Sequence, residues 1–321
     1  MGIAISISKR DVALLARIAM ASDHEFGNLS TDLKLSLVEG YLRAFSHALK
    51  SKFPELWYID AFAGTGERTV KVAGAAATDI LPAIEERIER RRGSARIALD
   101  VSPGFSRYVF MDKKKRHCEA LADLSKEYPG RLIEIVRGDA NKAIEAELAS
   151  QRWIGKRAVM FLDPYGMDVA WSTLEAIRKT EAIDVWYLVS LAGLFRQAAH
   201  DPKNLTPEKR IALTRMLGTD EWEEAWYKRA EHTDLLGNID EVHQRTADVA
   251  AMEKFVGKRL ESLFPKVLPP RRLRNDRGVP MFSLFLAISN PEPRAIGLAT
   301  RIGNHILKAS MEQASRRRFA R

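Results

Sequence analysis

Tyr58-Ile59-Asp60-Ala61-Phe62-Ala63-Gly64-Thr65-Gly66-Glu67-Arg68 reads as a strand that runs into a glycine turn and then a helix. Leu56 to Ala61 is apolar apart from Asp60 and rich in aromatic and branched side chains, as suits a strand buried on both faces. Gly64 and Gly66 allow positive φ and let a ligand come close to the backbone. A carboxylate at the strand end then stands beside amide N–H groups at a helix start. That pairing suits a nucleoside whose polar groups are partly cationic. Glycine pairs also serve as plain tight turns, so the flanking chain has to decide between the two.

Upstream, Leu35, Val38, Leu42, Phe45 and Leu49 form a one-faced helical stripe that Thr31 or Asp32 is placed to cap. Pro54 stops it from continuing into the strand. Before it, Asp11 to Ala21 reads as a short helix. Downstream, the connection from Thr69 to Ser106 exceeds what a direct crossover needs and reads as an insertion. It contains the run Gly74-Ala75-Ala76-Ala77 and a charged helix from Ile80 to Arg92. Further strands are expected at Tyr108–Asp112, Leu132–Val136, Ala158–Leu162 and Ile183–Ser190, with helices Lys115–Glu127 and Ser172–Lys179 between them. This alternation predicts a doubly wound, mostly parallel α/β sheet.

From Leu194 the pattern turns helical and charged, and a hairpin of Arg271–Arg274 and Val279–Ile288 then precedes a helix from Ala295 to Ser310. The expected organisation has four parts. Residues 1–30 form an N-terminal extension, and 31–193 form the core with an insertion near 69–106. Residues 194–265 form a helical insertion. The segment 266–321 supplies the terminal hairpin, helix and basic tail.

Lys and Arg number 51 against 42 Asp and Glu, a formal net charge of +9 over 321 residues, which favours an anionic partner such as nucleic acid. No segment has the length and apolarity of a membrane span, and Met1 to Met20 lacks a signal-peptide apolar run. The single Cys118 excludes an internal disulfide and an all-cysteine metal site. The expectation is a cytoplasmic protein. His117 beside Cys118 has no further ligands at metal spacing, so no metal is expected.

Four expected strand ends carry an aspartate: Asp60, Asp112, Asp139 and Asp163. Ligands of open α/β sheets bind beyond these carboxyl ends. The phosphate loop of NTPases is absent, and the lone GxG lacks the third glycine of the dinucleotide fingerprint. With these residues in view, the chain resembles the class I S-adenosylmethionine-dependent methyltransferases. Asp60 to Gly66 looks like their first motif, Asp112 their second, Gly138-Asp139 their third and Asp163-Pro164-Tyr165-Gly166 their fourth.

More closely, the chain resembles the three-Cys-motif partner (TcmP) family. This likeness runs from Lys34 and Tyr41-Leu42 through Tyr58–Gly66 and Phe161–Met167. It continues in Asp184-Val185-Trp186-Tyr187 and Leu217-Gly218-Thr219-Asp220-Glu221-Trp222, and so spans roughly residues 30 to 310. The resemblance implies a Rossmann-like methyltransferase fold, a cofactor site for S-adenosylmethionine and a three-Cys-motif protein as partner. Asp60, Phe62, Gly64 and Gly66 would then form the cofactor loop, with Asp112 on ribose and Asp139 on adenine. Asp163, Pro164 and Tyr165 would position the methyl acceptor.

Two departures qualify the likeness. Asp112 lies about fifty residues past the glycine loop, against roughly twenty in a dinucleotide fold. Asp100, after the strand-like Ala95–Leu99, is its rival. The fourth motif reads D-P-Y-G, closer to the D-P-F-G of tRNA guanine N2-dimethyltransferases than to D-P-P-Y.

An exocyclic base amine is a poor nucleophile because its lone pair is delocalised into the ring. Asp163 could accept its hydrogens and aim the lone pair while Tyr165 stacks on the ring. Such catalysis works by orientation, which can supply about 7–11 kcal/mol of barrier. Lys113 to Arg116, Arg271, Arg272, Arg274, Arg277 and Arg316 to Arg318 are candidates for phosphate contacts. Trp222, Trp226 and Tyr227 read as core of the insertion. The expected activity is methyl transfer to an amine of a nucleic acid base. The alternatives are a non-catalytic partner protein that keeps the fold, and a methyltransferase acting on a small molecule or a protein.

Overall fold

β1 (Glu55–Asp60) lies near the middle of the main sheet, paired in parallel with β4 (Arg107–Asp112) on one side and β6 (Lys156–Leu162) on the other. β5 (Ile133–Arg137) extends the sheet beyond β4, and β7 (Ile183–Ser190) extends it beyond β6, both in parallel. β12 (Pro280–Ile288) runs antiparallel to β7, and its far edge takes β10 (Lys266–Val267) and β11 (Arg271–Arg274). This is a doubly wound, mostly parallel α/β sheet with an antiparallel terminal hairpin. The computed structural model describes residues 29–72, 87–233 and 239–319. The helix expected at Asp11–Ala21, the run Gly74–Ala77, the turn at Gly237-Asn238 and the last two residues lie outside them.

Alternation of side chains along each strand fills two separate apolar layers. Tyr58, Phe110, Phe161 and Trp186 point to one face, which α1 (Leu29–Leu49), α2 (Ser94–Asp100), α3 (Lys115–Lys126) and α10 (Pro293–Phe319) cover. Trp57, Ile59, Met160 and Tyr187 point to the other. It packs under α4 (Ala140–Ala149), α5 (Trp171–Lys179), α6 (Leu191–Gln197), α7 (Pro207–Leu217), α8 (Trp222–Trp226) and α9 (Val249–Leu263). Each large side chain fully buried this way contributes about 1.5–3 kcal/mol. β7, buried along its whole length, contributes side chains to both layers.

The insertion after the glycine loop differs from expectation. The glycine turn leads into a strand, β2 (Glu67–Val72), and not directly into a helix. The charged helix expected to end at Arg92 is, where described, the strand β3 (Arg87–Arg92), antiparallel to β2. A helix would set Arg87 and Arg91 one turn apart as like charges. The hairpin instead brings Arg68 and Arg91 to Asp32 and Arg92 to Glu39, both acids of α1. Asp32 therefore serves the hairpin, and neither it nor Thr31 caps α1, which already runs from Leu29.

Ala95–Leu99 is helical, because Ala95, Ala98 and Leu99 recur at one-turn spacing against the core. Asp100 thus ends a helix and pairs with Arg92, while Asp112 ends the second core strand. The region 194–265 is not wholly helical, since β8 (Tyr227–Thr233) and β9 (Ile239–Arg245) form a second hairpin. Trp222, Trp226 and Tyr227 are buried there as core.

Candidate functional site

The glycine loop crosses the carboxyl end of the sheet between β4 and β6. Ala61 N–H donates to the Phe161 carbonyl at 3.2 Å and Ala63 N–H to the Met111 carbonyl at 3.0 Å. Gly64 and Gly66 take φ of +61° and +75°, so both use the conformation that favours glycine. A Cβ on Gly64 would meet no atom within 4 Å, which leaves that backbone open to approach, whereas on Gly66 it would lie 2.5 Å from Leu124 Cδ2. Gly93 N–H donates to the Gly66 carbonyl at 2.9 Å, so α2 starts directly against the loop although the hairpin intervenes in sequence.

Asp60 lies beneath this loop with 0% of its surface exposed. It accepts from Phe62 N–H at 3.2 Å and from the Tyr58 hydroxyl at 3.3 Å. Burial pushes its carboxyl up to about 7, against hydrogen bonds from Ser94, Phe62 and Tyr58 and with a smaller push from Asp163. Its direct role is therefore to hold the loop's shape.

Asp112 forms the adjacent support. Its Oδ2 accepts from Gly64 N–H at 3.2 Å and lies 2.9 Å from His117 Nδ1, and its Oδ1 accepts from Lys114 N–H at 2.8 Å. A carboxylate offers about four lone-pair sites, so one remains for a ligand hydroxyl. Asp139 caps α4, accepting from Lys142 N–H through Oδ1 at 3.2 Å, and its other oxygen stays available. Asn141, on the first turn of α4, donates to the Asp168 carbonyl at 2.8 Å. It accepts from Ala170 N–H at 2.9 Å and from the Thr173 hydroxyl at 2.8 Å. One side chain thus fixes the segment following the D-P-Y-G turn.

In that turn Asp163 Oδ2 forms an ion pair with Lys34 of α1, leaving Oδ1 for another donor. Pro164 is buried, Gly166 turns the chain at φ +84°, and Tyr165 stands 70% exposed with Lys114 Nζ 5.3 Å from its ring centre. Arg215, on α7, reaches in to donate to the Met167 carbonyl at 3.4 Å.

A shallow cleft with a cavity volume of about 90 Å³ opens among these elements. It brings together Phe62, Asp112, Asp139 and Tyr165 from the expected site residues, with Lys113 and Lys114 from the expected phosphate contacts, and adds Asn141, Asp168 and Arg215. Asp60, Gly64, Gly66, Asp163 and Pro164 do not form its wall. They shape the two loops that bound it. The carboxylate of Asp168 and the Asn141 clamp carried only the signal of lying beside motifs, and Arg215 carried none.

The donor set fits a nucleoside cofactor such as S-adenosylmethionine. The apolar Phe62 ring, an open glycine backbone and two strand-end carboxylates with acceptor capacity match a base, a ribose and a cationic group. Among the described residues no group of three or more His, Cys, Asp or Glu could hold a metal ion, and no helix is long and apolar enough to cross a membrane. Of the expected phosphate contacts, Arg272 is bonded to Glu253 and Arg274 to the Gly278 carbonyl at 2.6 Å.

No family model matches the chain, and no curated protein does. Among solved structures it is similar to a Legionella pneumophila protein of the DUF519 family, at 13% identity over 87% of this chain and 92% of that one, with a TM-score of 0.41. It is similar also to an S-adenosylmethionine-dependent methyltransferase from Clostridium acetobutylicum, at 8% identity over 87% and 98%, TM-score 0.33. A third is a Pyrococcus horikoshii protein provisionally described as an RNA methyltransferase, at 11% identity over 74% and 94%, TM-score 0.27. At these values none of them fixes a residue correspondence or an activity.

Proposed function

We propose that this protein transfers a methyl group from S-adenosylmethionine to an amino group of a nucleic acid base. One observation carries the proposal. A single cleft at the carboxyl end of the sheet joins Phe62, Asp112 and Asp139 to the exposed Tyr165 of the D-P-Y-G turn. The cofactor would supply an electrophilic methyl group. Asp112, already fixed by Gly64 N–H and His117, would hold ribose hydroxyls, and Asp139 would accept from the adenine amino group. Asp163 Oδ1 would take an amine hydrogen and Tyr165 would stack on the base. The base amine would be the acceptor of that methyl group and would give up one proton to solvent, with the demethylated cofactor as the leaving product.

Calorimetric titration with S-adenosylmethionine, and separately with its demethylated product, tests the cofactor site. Saturable micromolar binding is expected, and its loss in Gly64→Leu. There a side chain enters open space at a φ that costs it about 1–2 kcal/mol, too little to unfold the domain. Absence of heat and of thermal stabilisation in folded, cofactor-free protein would reject the reading.

A second reading is a non-catalytic partner that keeps the fold. The ion pair between Lys34 and the Asp163 carboxylate favours it, because one acceptor oxygen is already engaged. The likeness to three-Cys-motif partners supports the same reading, with a three-Cys-motif protein as the bound chain. Cofactor binding without methyl transfer to any nucleic acid would select it.

A further inference from the structure

We infer that the cleft carries a built-in grip for the sugar-phosphate backbone of a single-stranded nucleic acid, made by Lys113 and Lys114 on one side and Arg215 on the other. This inference names the substrate form and rests on the proposed base-modifying activity. The cations come from two unrelated parts of the chain. Lys113 and Lys114 follow β4, while Arg215 belongs to α7 of the insertion, and all three line the same cleft as Tyr165. All three side chains are solvent-exposed, and none forms an ion pair among the described residues. That sets them apart from Arg68, Arg91 and Arg92 of the β2–β3 hairpin, which α1 neutralises, and from Arg272, which Glu253 neutralises.

Tyr165 supplies the second half of the argument. A large aromatic ring 70% exposed has lost burial that its neighbours in the turn, Pro164 and Met167, retain. Lys114 Nζ lies over the ring, 5.3 Å from its centre, so a base that stacks on the exposed remainder of the ring is brought beside a cation. Asp112, Asp139 and Asp168 line the same cleft and repel phosphate. A phosphodiester therefore gains only where the long lysine and arginine stems extend past the acids. A duplex presents its bases stacked inward, away from a ring held between phosphate contacts, so the strand that fits is single or locally opened.

The test is fluorescence anisotropy of labelled single-stranded RNA and DNA oligonucleotides, without cofactor, over a range of salt concentrations. Log affinity against log salt should fall linearly, and each phosphate contact removed should flatten the slope by about 0.7. Lys114→Glu and Arg215→Glu are each expected to flatten it by about that amount. Tyr165→Ala should weaken binding about 5- to 150-fold with the slope retained. Lys258→Glu, the same charge change on the exposed side of α9, should leave the slope unchanged. Thermal melting confirms that each variant is folded.

Equal slopes for Lys258→Glu and Arg215→Glu would overturn the grip, since binding would then follow net charge. Equal affinity for a duplex of the same sequence would overturn it as well. RNA and DNA arms that differ would identify which strand the grip prefers, with the grip itself supported. Cofactor titration of the unaltered protein stands apart. Loss of cofactor binding with an intact salt response refutes the methyltransferase reading alone, and the reverse refutes only the grip.

Discussion

Asp60 offers a measurable consequence of its position. An aspartate of ordinary acidity near 3.8 is pushed up to about 7 here, chiefly by complete burial. At about 1.36 kcal/mol per pH unit, ionising it inside the fold costs about 4 kcal/mol in full. The sign follows from the unfolded chain holding the proton less tightly. Asp60's contribution to stability is fully present below pH 4, falls as pH rises towards 7, and is constant and unfavourable above. Asp60→Asn keeps an acceptor for Phe62 N–H and cannot ionise. Urea unfolding of both proteins should show the variant gaining about 2–3 kcal/mol on the wild type between pH 5 and pH 8. Replacing Asp163 with Asn as well should shrink that gain, because Asp163 contributes to the upward push. A stability difference that stays flat from pH 5 to 8 would refute the reasoning, for it would mean that Asp60 does not titrate as a buried acid in this window.

Asn141→Ala removes three hydrogen bonds and leaves Ala170 N–H without its partner. A loss of about 2–4 kcal/mol in denaturant unfolding is expected, together with weaker cofactor binding in the calorimeter; unchanged values in both would show that the clamp is incidental. Gly218 closes α7 at φ +68°, and a Cβ there would lie 2.2 Å from Trp171 Cγ. Gly218→Ala is therefore expected to cost about 2–5 kcal/mol by urea unfolding, strain and overpacking together, and a cost below 1 kcal/mol would contradict the tight approach.

Much of the core was readable because burial imposes a pattern on sequence. Tyr58 and Ile59 serve opposite apolar layers, so β1 could only be a strand covered on both faces. Asp60, Asp112 and Asp163 were readable at strand ends because each is the charged residue that closes an apolar run. What stayed hidden depends on contacts distant in sequence. The arginines of residues 87–92 look helical until Asp32 and Glu39 of α1 are placed beside them. Ala95–Leu99 is too short for its period to show, with Arg96 its one polar residue, and only the core it meets makes it a helix. Arg215 enters the cleft from an insertion whose local composition says nothing about where α7 docks. Asp60 was legible as a strand-end acid, yet its complete burial beneath the loop was not, because a single strand cannot reveal what will cover it.

The hydrogen bond from Gly93 to Gly66 gives the hairpin a further meaning. The chain leaves the core at one glycine and returns to it at another in direct backbone contact, so the described strands between them, β2 and β3, are an attachment on a closed seam. The core's strand, loop and crossover helix meet as they would if joined directly. The entropy of closing such an excursion rises only with the logarithm of its length. Length between the two glycines is therefore free to vary without retuning the loop, whereas Arg68, Arg91 and Arg92 are held by their acids on α1. The ionic ties from Arg68, Arg91 and Arg92 to α1 are what dock this attachment on the core rather than leave it an appendage.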